Sequence, residues 1–296
     1  MHIYKYYNTI TIQRIECGVR MKNWIFEQYV IVSGASSGIG KQLCRLFIEK
    51  YGAKVIGIGR NEEKMRALKK ELGDNQEKFS YHLFDVSDKN GWLTLKEHLT
   101  ENGIRPVLLV NNAGMFIPFN KITQTPTEEI DKVLSVNFRS VTYAVENISP
   151  ILQGNGKHLP AVVNVASSAA LCTVVGTGAY SASKAALKAY TEALALEEKG
   201  RKYIGLICPG TTATDLFRAD ENTKNSALDI LAMPASKMAK KIAKKILKKR
   251  RRAVLGWDAK LMNLTAKIMP VKGLFLIRWV MKASKSKVFS NVFDEE

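Results

Sequence analysis

The stretch from Tyr29 to Arg60 constrains this chain more than any other. An apolar run, Tyr29-Val30-Ile31-Val32, leads into Ser33-Gly34-Ala35-Ser36-Ser37-Gly38-Ile39-Gly40, and a helical pattern marked by Leu43, Leu46, Phe47 and Tyr51 follows. A strand, a tight glycine turn and an amphipathic helix are the simplest reading of that order. Gly34, Gly38 and Gly40 are spaced G-x-x-x-G-x-G. Where a Cβ is missing, the chain can turn sharply, approach a pyrophosphate and pack a helix on a sheet. The N–H groups opening the helix then face the anion. A second apolar run, Lys54 to Gly59, completes a βαβ unit in about thirty residues and stops at Arg60. Glycines at a helix start also occur in proteins that bind no nucleotide, so the turn needs support from elsewhere in the chain.

That support is an alternation of strands and helices. Asn61 to Glu77 reads as a charged helix with Met65, Leu68 and Leu72 on one face, and Phe79 to Val86 as a third strand reaching Asp85. Trp92, Leu93, Leu95 and Leu99 mark another helix. Arg105 to Val110 reads as a fourth strand ending in Asn111-Asn112-Ala113-Gly114, and a helix follows over roughly Thr127 to Asn147. A fifth strand, Ala161 to Ala166, delivers Ser167 and Ser168 at its carboxyl end. Strands separated by helices of ten or more residues predict a parallel sheet covered on both faces.

The helix that begins near Tyr180 carries Lys184 one turn later. Positions i and i+4 lie one above the other on the same helical face. In an arbitrary helix this pair reads as an anchoring aromatic and a solvated charge. After a nucleotide-binding half and a strand-end serine, it reads as hydride-transfer chemistry. A phenol with a pKa near 10 is a poor base at neutral pH, but an ammonium beside it favours the phenolate, as does a positively charged nicotinamide. Ser167 can donate a hydrogen bond to a carbonyl or alkoxide oxygen. The set suits oxidation of a secondary alcohol or reduction of a ketone. No base adjoins a serine in the pattern a hydrolase needs.

Taken together, residues 29–214 resemble a short-chain dehydrogenase/reductase of the large single-domain type. The resemblance rests on the glycine turn, on Asp85-Val86, on Asn111-Asn112-Ala113-Gly114, on Asn137 in Val136-Asn137-Phe138, on Ser167 thirteen positions before Tyr180, on the Tyr180/Lys184 pair and on Pro209-Gly210. It implies a Rossmann-like three-layer αβα sandwich with a mostly parallel seven-stranded sheet and a helical C-terminal extension. The implied catalytic set is Asn137, Ser167, Tyr180 and Lys184, with Asn137 holding a water in a proton relay and Lys184 bonding the nicotinamide ribose. The implied cofactor contacts are Gly34, Ser36, Ser37, Gly38, Ile39, Gly40, Arg60, Asp85, Val86, Asn112, Ala113, Gly114, Tyr180, Lys184, Pro209, Gly210, Thr212 and Thr214. Two departures are local: Ser33 stands where Thr is commoner, and Ala166 where the family has the first Ser of its N-x-S-S segment. A homo-oligomer is also implied.

Gly59 puts no carboxylate at the end of the second strand, where an acid would hold an NAD ribose and repel a 2′-phosphate. Arg60 can pair with that phosphate, so NADP is expected over NAD, although Arg60 also reads as a solvated charge. The family's loop after Pro209-Gly210 closes over substrate. Leu216 and Phe217 lie in this stretch and, with Ser167 and Tyr180, are expected to contact a bulky lipid-like alcohol or ketone, with a hydroxysteroid as the leading class. A small-carbonyl or sugar reductase, and a noncatalytic NADP-binding sensor, are the alternative readings.

Composition sets the outer limits. A chain of 296 residues with ample aliphatic and aromatic content supports one large α/β domain. We divide it into a variable N-terminal extension (1–27), the dehydrogenase domain (28–235) and a basic helical C-terminal extension (236–296), with Met21 as a candidate alternative start. Cys17, Cys44, Cys172 and Cys208 lack any C-x-x-C spacing, pointing to a reducing, cytoplasmic location. The four histidines form no metal-ligand pattern, so no metal is expected. The first 27 residues hold no apolar core of a secretory signal. From Lys237 to Lys287 there are 17 Lys or Arg against one acid, Asp258, within a formal net charge of +18. Met238, Ile242 and Ile246 form a stripe beside Lys241, Lys244, Lys245, Lys248 and Lys249. This pattern reads first as a helix solubilised on the domain; an anionic membrane surface contacted peripherally and a nonspecific nucleic-acid surface are the alternatives. No zinc-finger or RNA-binding motif supports a specific nucleic-acid partner. Leu261 to Met281 is apolar but interrupted by Lys267, Pro270, Lys272 and Arg278, which argues against a membrane span.

Overall fold

The computed structural model describes residues 23–117, 119–214, 232–284 and 286–293. Among the described residues nine strands run in chain order: β1 (Tyr29–Ser33), β2 (Lys54–Gly59), β3 (Phe79–Leu83), β4 (Leu108–Asn111), β5 (Ala161–Val165), β6 (Tyr203–Pro209), β7 (Thr212–Ala213), β8 (Met233–Pro234) and β9 (Arg252–Leu255). The helices are α1 (Gly38–Arg45), α2 (Glu62–Glu71), α3 (Lys89–Glu101), α4 (Thr127–Leu134), α5 (Ser140–Ile148), α6 (Gly178–Glu197), α7 (Ala235–Leu247), α8 (Trp257–Ile268), α9 (Lys272–Ala283) and α10 (Ser290–Phe293). Seven strands form one sheet in the order β3-β2-β1-β4-β5-β6-β9, and β7 pairs with β8 beside it. Each pairing in the large sheet is parallel, with Val30 opposite both Val55 and Leu108.

Side chains of a strand alternate between faces, and both faces here are buried. Val30, Val32 and Val55 join Leu43, Phe47, Met65 and Ile242 in one core layer. Ile31, Ile56 and Ile58 join Trp92, Leu95, Val141 and Leu187 in the other. This is why the strands read as continuous apolar runs and not as alternating ones. The expected three-layer sandwich with a seven-stranded parallel sheet is the observed architecture.

Three local differences from the sequence reading have physical causes. The third strand stops at Leu83, because Asp85 turns its carboxylate back onto the Ser87 N–H and hydroxyl, at 2.9 and 2.7 Å. The long helix after the fourth strand is α4 and α5 joined by a π-helical turn, Ser135–Arg139, which holds Asn137. The stretch from 236 onward contributes both a helix and a strand to the sheet layers. In α7 the stripe Met238, Ile242 and Ile246 is fully buried, with Lys240, Lys241 and Lys244 exposed, and β9 pairs with β6.

A third cluster lies at the carboxyl ends of the strands. Phe119, from the loop after β4, packs with Met281 of α9 and with Val288, Phe289 and Val292 beyond it. The chain's last helices are thus brought over the crevice where strand order reverses between β1 and β4, the usual place for a ligand in an open parallel sheet.

Candidate active site

The glycine turn between β1 and α1 is shaped by contacts a side chain would destroy. Gly34 has φ +68, and a Cβ there would come within 2.9 Å of the Ala113 Cα. On Gly40 a Cβ would run into the Gly34 carbonyl oxygen. The turn is tied to the next strand end: the Ser33 hydroxyl accepts from the N–H groups of Asn112 and Ala113, both at 3.0 Å, and the Asn112 amide donates to the Ser33 carbonyl at 3.0 Å. Ser33 thus performs this bracing without the methyl of threonine. Ser37, at the N-cap of α1, makes no capping bond, which leaves the helix-start N–H groups facing the crevice.

Ser167 follows β5, and its Oγ accepts from the Ala169 N–H at 3.2 Å. With an acceptor site so occupied, the hydroxyl proton is free to donate. Tyr180 sits in the first turn of α6 and is buried, with its ring edge-on to Phe116 at 5.1 Å. Burial pushes the phenol pKa up, and a hydrogen bond from Ser167 acts in the opposite direction. One turn on, Lys184 is 3 % exposed and donates to the Val165 carbonyl at 3.2 Å. Burial lowers its pKa from 10.5 to about 8. Its ammonium lies over the Tyr180 ring, 5.9 Å from the ring centre.

Asn137 is fully buried in the π turn. Its side-chain oxygen accepts from the Met115 N–H at 2.8 Å, and its amide donates to the Met115 carbonyl at 2.9 Å and to Ser183 Oγ at 3.0 Å. Ser183 in turn donates to the Tyr180 carbonyl at 2.7 Å. Both amide protons are therefore spent on structure. The side chain clamps the loop after β4 to the first turn of α6, and π turns of this kind recur at functional sites. Gly114 completes the arrangement, since a Cβ on it would sit 3.1 Å from the Asn137 oxygen and 3.3 Å from the Lys184 nitrogen.

These groups open onto one cavity of about 370 Å³. Its walls include Gly34, Ser37, Gly38, Ile39, Asn112, Ala113, Gly114, Ser167, Tyr180, Lys184, Pro209, Gly210, Thr212 and Thr214. The glycine turn and the Ser/Tyr/Lys set, read separately from the sequence, are brought together here. Asn137 supports the cavity from behind. Gly40, in α1, and Ser36, Arg60, Asp85 and Val86, at and beyond the ends of β1, β2 and β3, lie outside its wall. Arg60, which is largely exposed, pairs with Asp85 at 3.0 Å. Burial works to raise the Asp85 pKa, but the Ser87 hydrogen bonds and Arg60 hold it below the usual carboxylate value. Val86 is buried, and its carbonyl accepts from the Trp92 indole at 2.8 Å. Leu216 and Phe217 lie outside the described residues.

The sequence reading missed the far end of the cavity. Phe116, Phe119 and Val174 line it from the loops after β4 and β5, and Met262, Ile277, Met281 and Phe289 line it from the C-terminal helices. Phe116 was accessible as the second residue past Asn111-Asn112-Ala113-Gly114; for the C-terminal group no sequence signal tied it to the site. The fastening is Asp258, in the first turn of α8. Its carboxylate accepts from the Thr211 N–H at 2.6 Å and fills the space beside Gly210 and Gly256, where a Cβ would collide with it.

The cradle fits a dinucleotide: a tight glycine turn with Gly34 and Gly38 on the cavity wall, a helix start aimed at it, and hydrogen-bonding groups along one wall. Comparisons with known proteins agree. A family model described as short chain dehydrogenase matches residues 28–225. An uncharacterized oxidoreductase of Thermotoga maritima is 33% identical over 215 residues, 71% of this chain and 81% of that protein. A 3beta-hydroxysteroid dehydrogenase of Eggerthella lenta is 29% identical over 191 residues, 64% of this chain and 72% of its own. Among solved structures, a Burkholderia phymatum short chain dehydrogenase/reductase in complex with NAD has a TM-score of 0.72 at 22% identity, covering 84% of this chain and 96% of its own. A serine dehydrogenase complexed with NADP+ has a TM-score of 0.66 at 24% identity, covering 76% and 92%. At those identities the two structures show the fold.

Proposed function

The chain belongs to the short-chain dehydrogenase/reductase family of oxidoreductases acting on CH–OH groups, and we propose that it interconverts a bulky apolar secondary alcohol, with hydroxysteroids the leading class, and its ketone, using NADP. The observation that carries the substrate class is the cavity's two-part wall: Ser167, Tyr180 and Lys184 at one end, and Phe116, Phe119, Met262, Ile277 and Met281 at the other. A hydrocarbon body gains on the order of 25 cal/mol for each Å² buried against such a wall. A sugar would leave its hydroxyls facing aromatic and thioether groups with few partners.

In the alcohol-forming direction, the Tyr180 hydroxyl protonates the substrate oxygen while Ser167 donates a second hydrogen bond to it. In the reverse direction the phenolate takes the hydroxyl proton. Bound nicotinamide supplies or accepts the hydride. Lys184 stabilises the phenolate, and its low pKa lets it pass a proton onward near neutral pH. Asn137 holds the loop and α6 in register so that this line is kept. Gly34, Ser36, Ser37, Gly38, Ile39 and Gly40 would hold the pyrophosphate side, and Asn112, Ala113, Gly114, Pro209, Gly210, Thr212 and Thr214 the nicotinamide side. Asp85 and Val86 would hold the adenine side. Arg60 meets the 2′-phosphate. Its present partner is a surface ion pair worth about 0–1 kcal/mol, so sharing it with a phosphate costs little. Ser167 and Tyr180 hold the substrate oxygen. We assign a homo-oligomer in the cytoplasm to this activity, on the family's habit and the cysteine spacing.

The test is a cofactor-coupled screen of steroids, long-chain 3-hydroxy lipids, sugars and compact ketones with wild type and Tyr180→Phe. We expect turnover of the bulky apolar class, reduced by about 10²–10⁴ in the variant. Efficient turnover confined to sugars or compact ketones sinks the substrate assignment. Unchanged turnover in Tyr180→Phe sinks the role of the phenol, and NADPH binding without turnover of any substrate in the panel leaves the sensor reading in its place.

A further inference from the structure

The helices that close the cavity are inverted. In α8 the exposed positions include Trp257, Leu261, Leu264 and Ile268, with exposures from 53 to 68%. In α9 they include Phe275, Leu276, Trp279 and Val280, with Phe275 at 67% and Trp279 at 66%. Among the described residues, eleven of the sixteen large apolar side chains left exposed fall between Trp257 and Val280, so they form one surface and not a scatter. An exposed apolar patch of this extent marks an interaction site. The opposite faces of the same two helices supply Met262, Ile277 and Met281 to the cavity wall.

We propose that the outer face of the α8–α9 hairpin docks on an anionic lipid bilayer and admits apolar substrate from it. Charge selects this occupant over a second copy of the chain. Lys260, Lys267 and Lys272 are exposed on the same two helices, beside the apolar stripe, and the one acid of the stretch, Asp258, is turned inward onto Thr211. A pairing of two such faces would bury like charges in an apolar contact. A bilayer instead lets the lysine stems lie along the acyl boundary with their ammonium groups among anionic headgroups. Trp257 and Trp279 suit the same depth. The helices have 12 residues each, and no helix of the described chain is long and apolar enough to cross a membrane, so the contact lies in the interface. Docking follows from this face alone; admission of substrate also rests on the bulky-alcohol reading.

The test is co-sedimentation of the full chain with vesicles of phosphatidylcholine, alone or mixed with phosphatidylserine. We expect wild type to pellet with the mixed vesicles, and Phe275→Ser with Trp279→Ser to weaken the partition by about tenfold or more. Lys260→Gln with Lys267→Gln should weaken it by about thirtyfold on mixed vesicles and leave phosphatidylcholine unaffected. NADPH titration and turnover of a compact, water-soluble ketone should be unchanged in both variants, which separates a docking failure from a failure of the enzyme reading. For an apolar alcohol dissolved in the vesicles, turnover should fall in Phe275→Ser/Trp279→Ser; equal turnover overturns admission of substrate. Docking is overturned if wild type ignores both vesicles or if the apolar variant pellets like wild type. If wild type ignores vesicles and the variant converts a dimer to a monomer by light scattering, the face is an interface between copies.

Discussion

Replacing Lys184 by Met is expected to stabilise the fold at neutral pH while removing turnover, and the gain should vanish in alkali. The ammonium is buried, with one hydrogen bond to the Val165 carbonyl, and its pKa is lowered by burial from 10.5 to about 8. A lysine with a depressed folded pKa binds its proton less readily in the folded than in the unfolded chain. Between about pH 8 and 10.5 the unfolded state therefore holds more protons, and stability rises with pH. Below that window the folded state carries the whole cost of the buried charge, about 3 kcal/mol at pH 7, falling to about 1 kcal/mol at pH 10. Methionine removes this cost and fills a similar volume. It also leaves the Val165 carbonyl without a donor, a loss of about 1–2 kcal/mol that does not depend on pH.

The measurable quantity is the stability of Lys184→Met minus that of wild type, from urea unfolding followed by circular dichroism at several pH values. It should be positive at pH 7 and drop by about 2–3 kcal/mol by pH 10. Other groups that titrate in alkali are common to both proteins and cancel. A difference constant with pH would refute the account of Lys184 as a charge held against its desolvation. A change of the opposite sign would mean that a partner stabilises the ammonium and raises its pKa.

Three further outcomes are expected. Arg60→Glu should weaken NADPH more than NADH in paired fluorescence titrations, because repulsion replaces a phosphate contact; equal weakening of both would make Arg60 only a partner for Asp85. Gly40→Ala should lower both thermal stability and affinity for either cofactor, since the new methyl collides with the Gly34 carbonyl oxygen, and unaltered titrations would show that the turn can open there. Met281→Ala should raise KM for bulky apolar alcohols about tenfold by removing a wall contact while sparing compact ketones, and an equal effect on both would place Met281 in the fold and not in the site.

What the sequence made legible follows from the range of the forces involved. The strand runs and the glycine turn are local: apolar content, strand length and the absence of Cβ atoms are written in consecutive residues, and β1, α1 and β2 form where these signals lie. Tyr180 and Lys184 were legible because one helical turn fixes their relation. Strand and helix ends were less so, because they depend on partners outside the run. Asp85 ends β3 through Ser87, and Asn137 draws the chain into a π turn through Met115 and Ser183. Arg60 shows the same limit: its charge was legible, but its pairing with Asp85, 25 residues away, was not.

The C-terminal helices show why the substrate end of the site stayed hidden. Periodicity finds an apolar stripe and assigns it to the core, which holds for α7, where Met238, Ile242 and Ile246 are buried and Lys240, Lys241 and Lys244 are exposed. In α8 and α9 apolar residues occupy both faces, so the pattern cannot say which face turns inward. A polar contact decides it. The Asp258 carboxylate takes the Thr211 N–H beside Gly210 and Gly256, at two positions where a side chain would exclude it. That anchor sets α8 against the Pro209-Gly210 turn, and α9 returns along it to bring Ile277 and Met281 to the cavity. The remaining apolar residues must then face outward. The same contact that completes the cavity wall therefore creates the exposed surface on the other side of the same two helices.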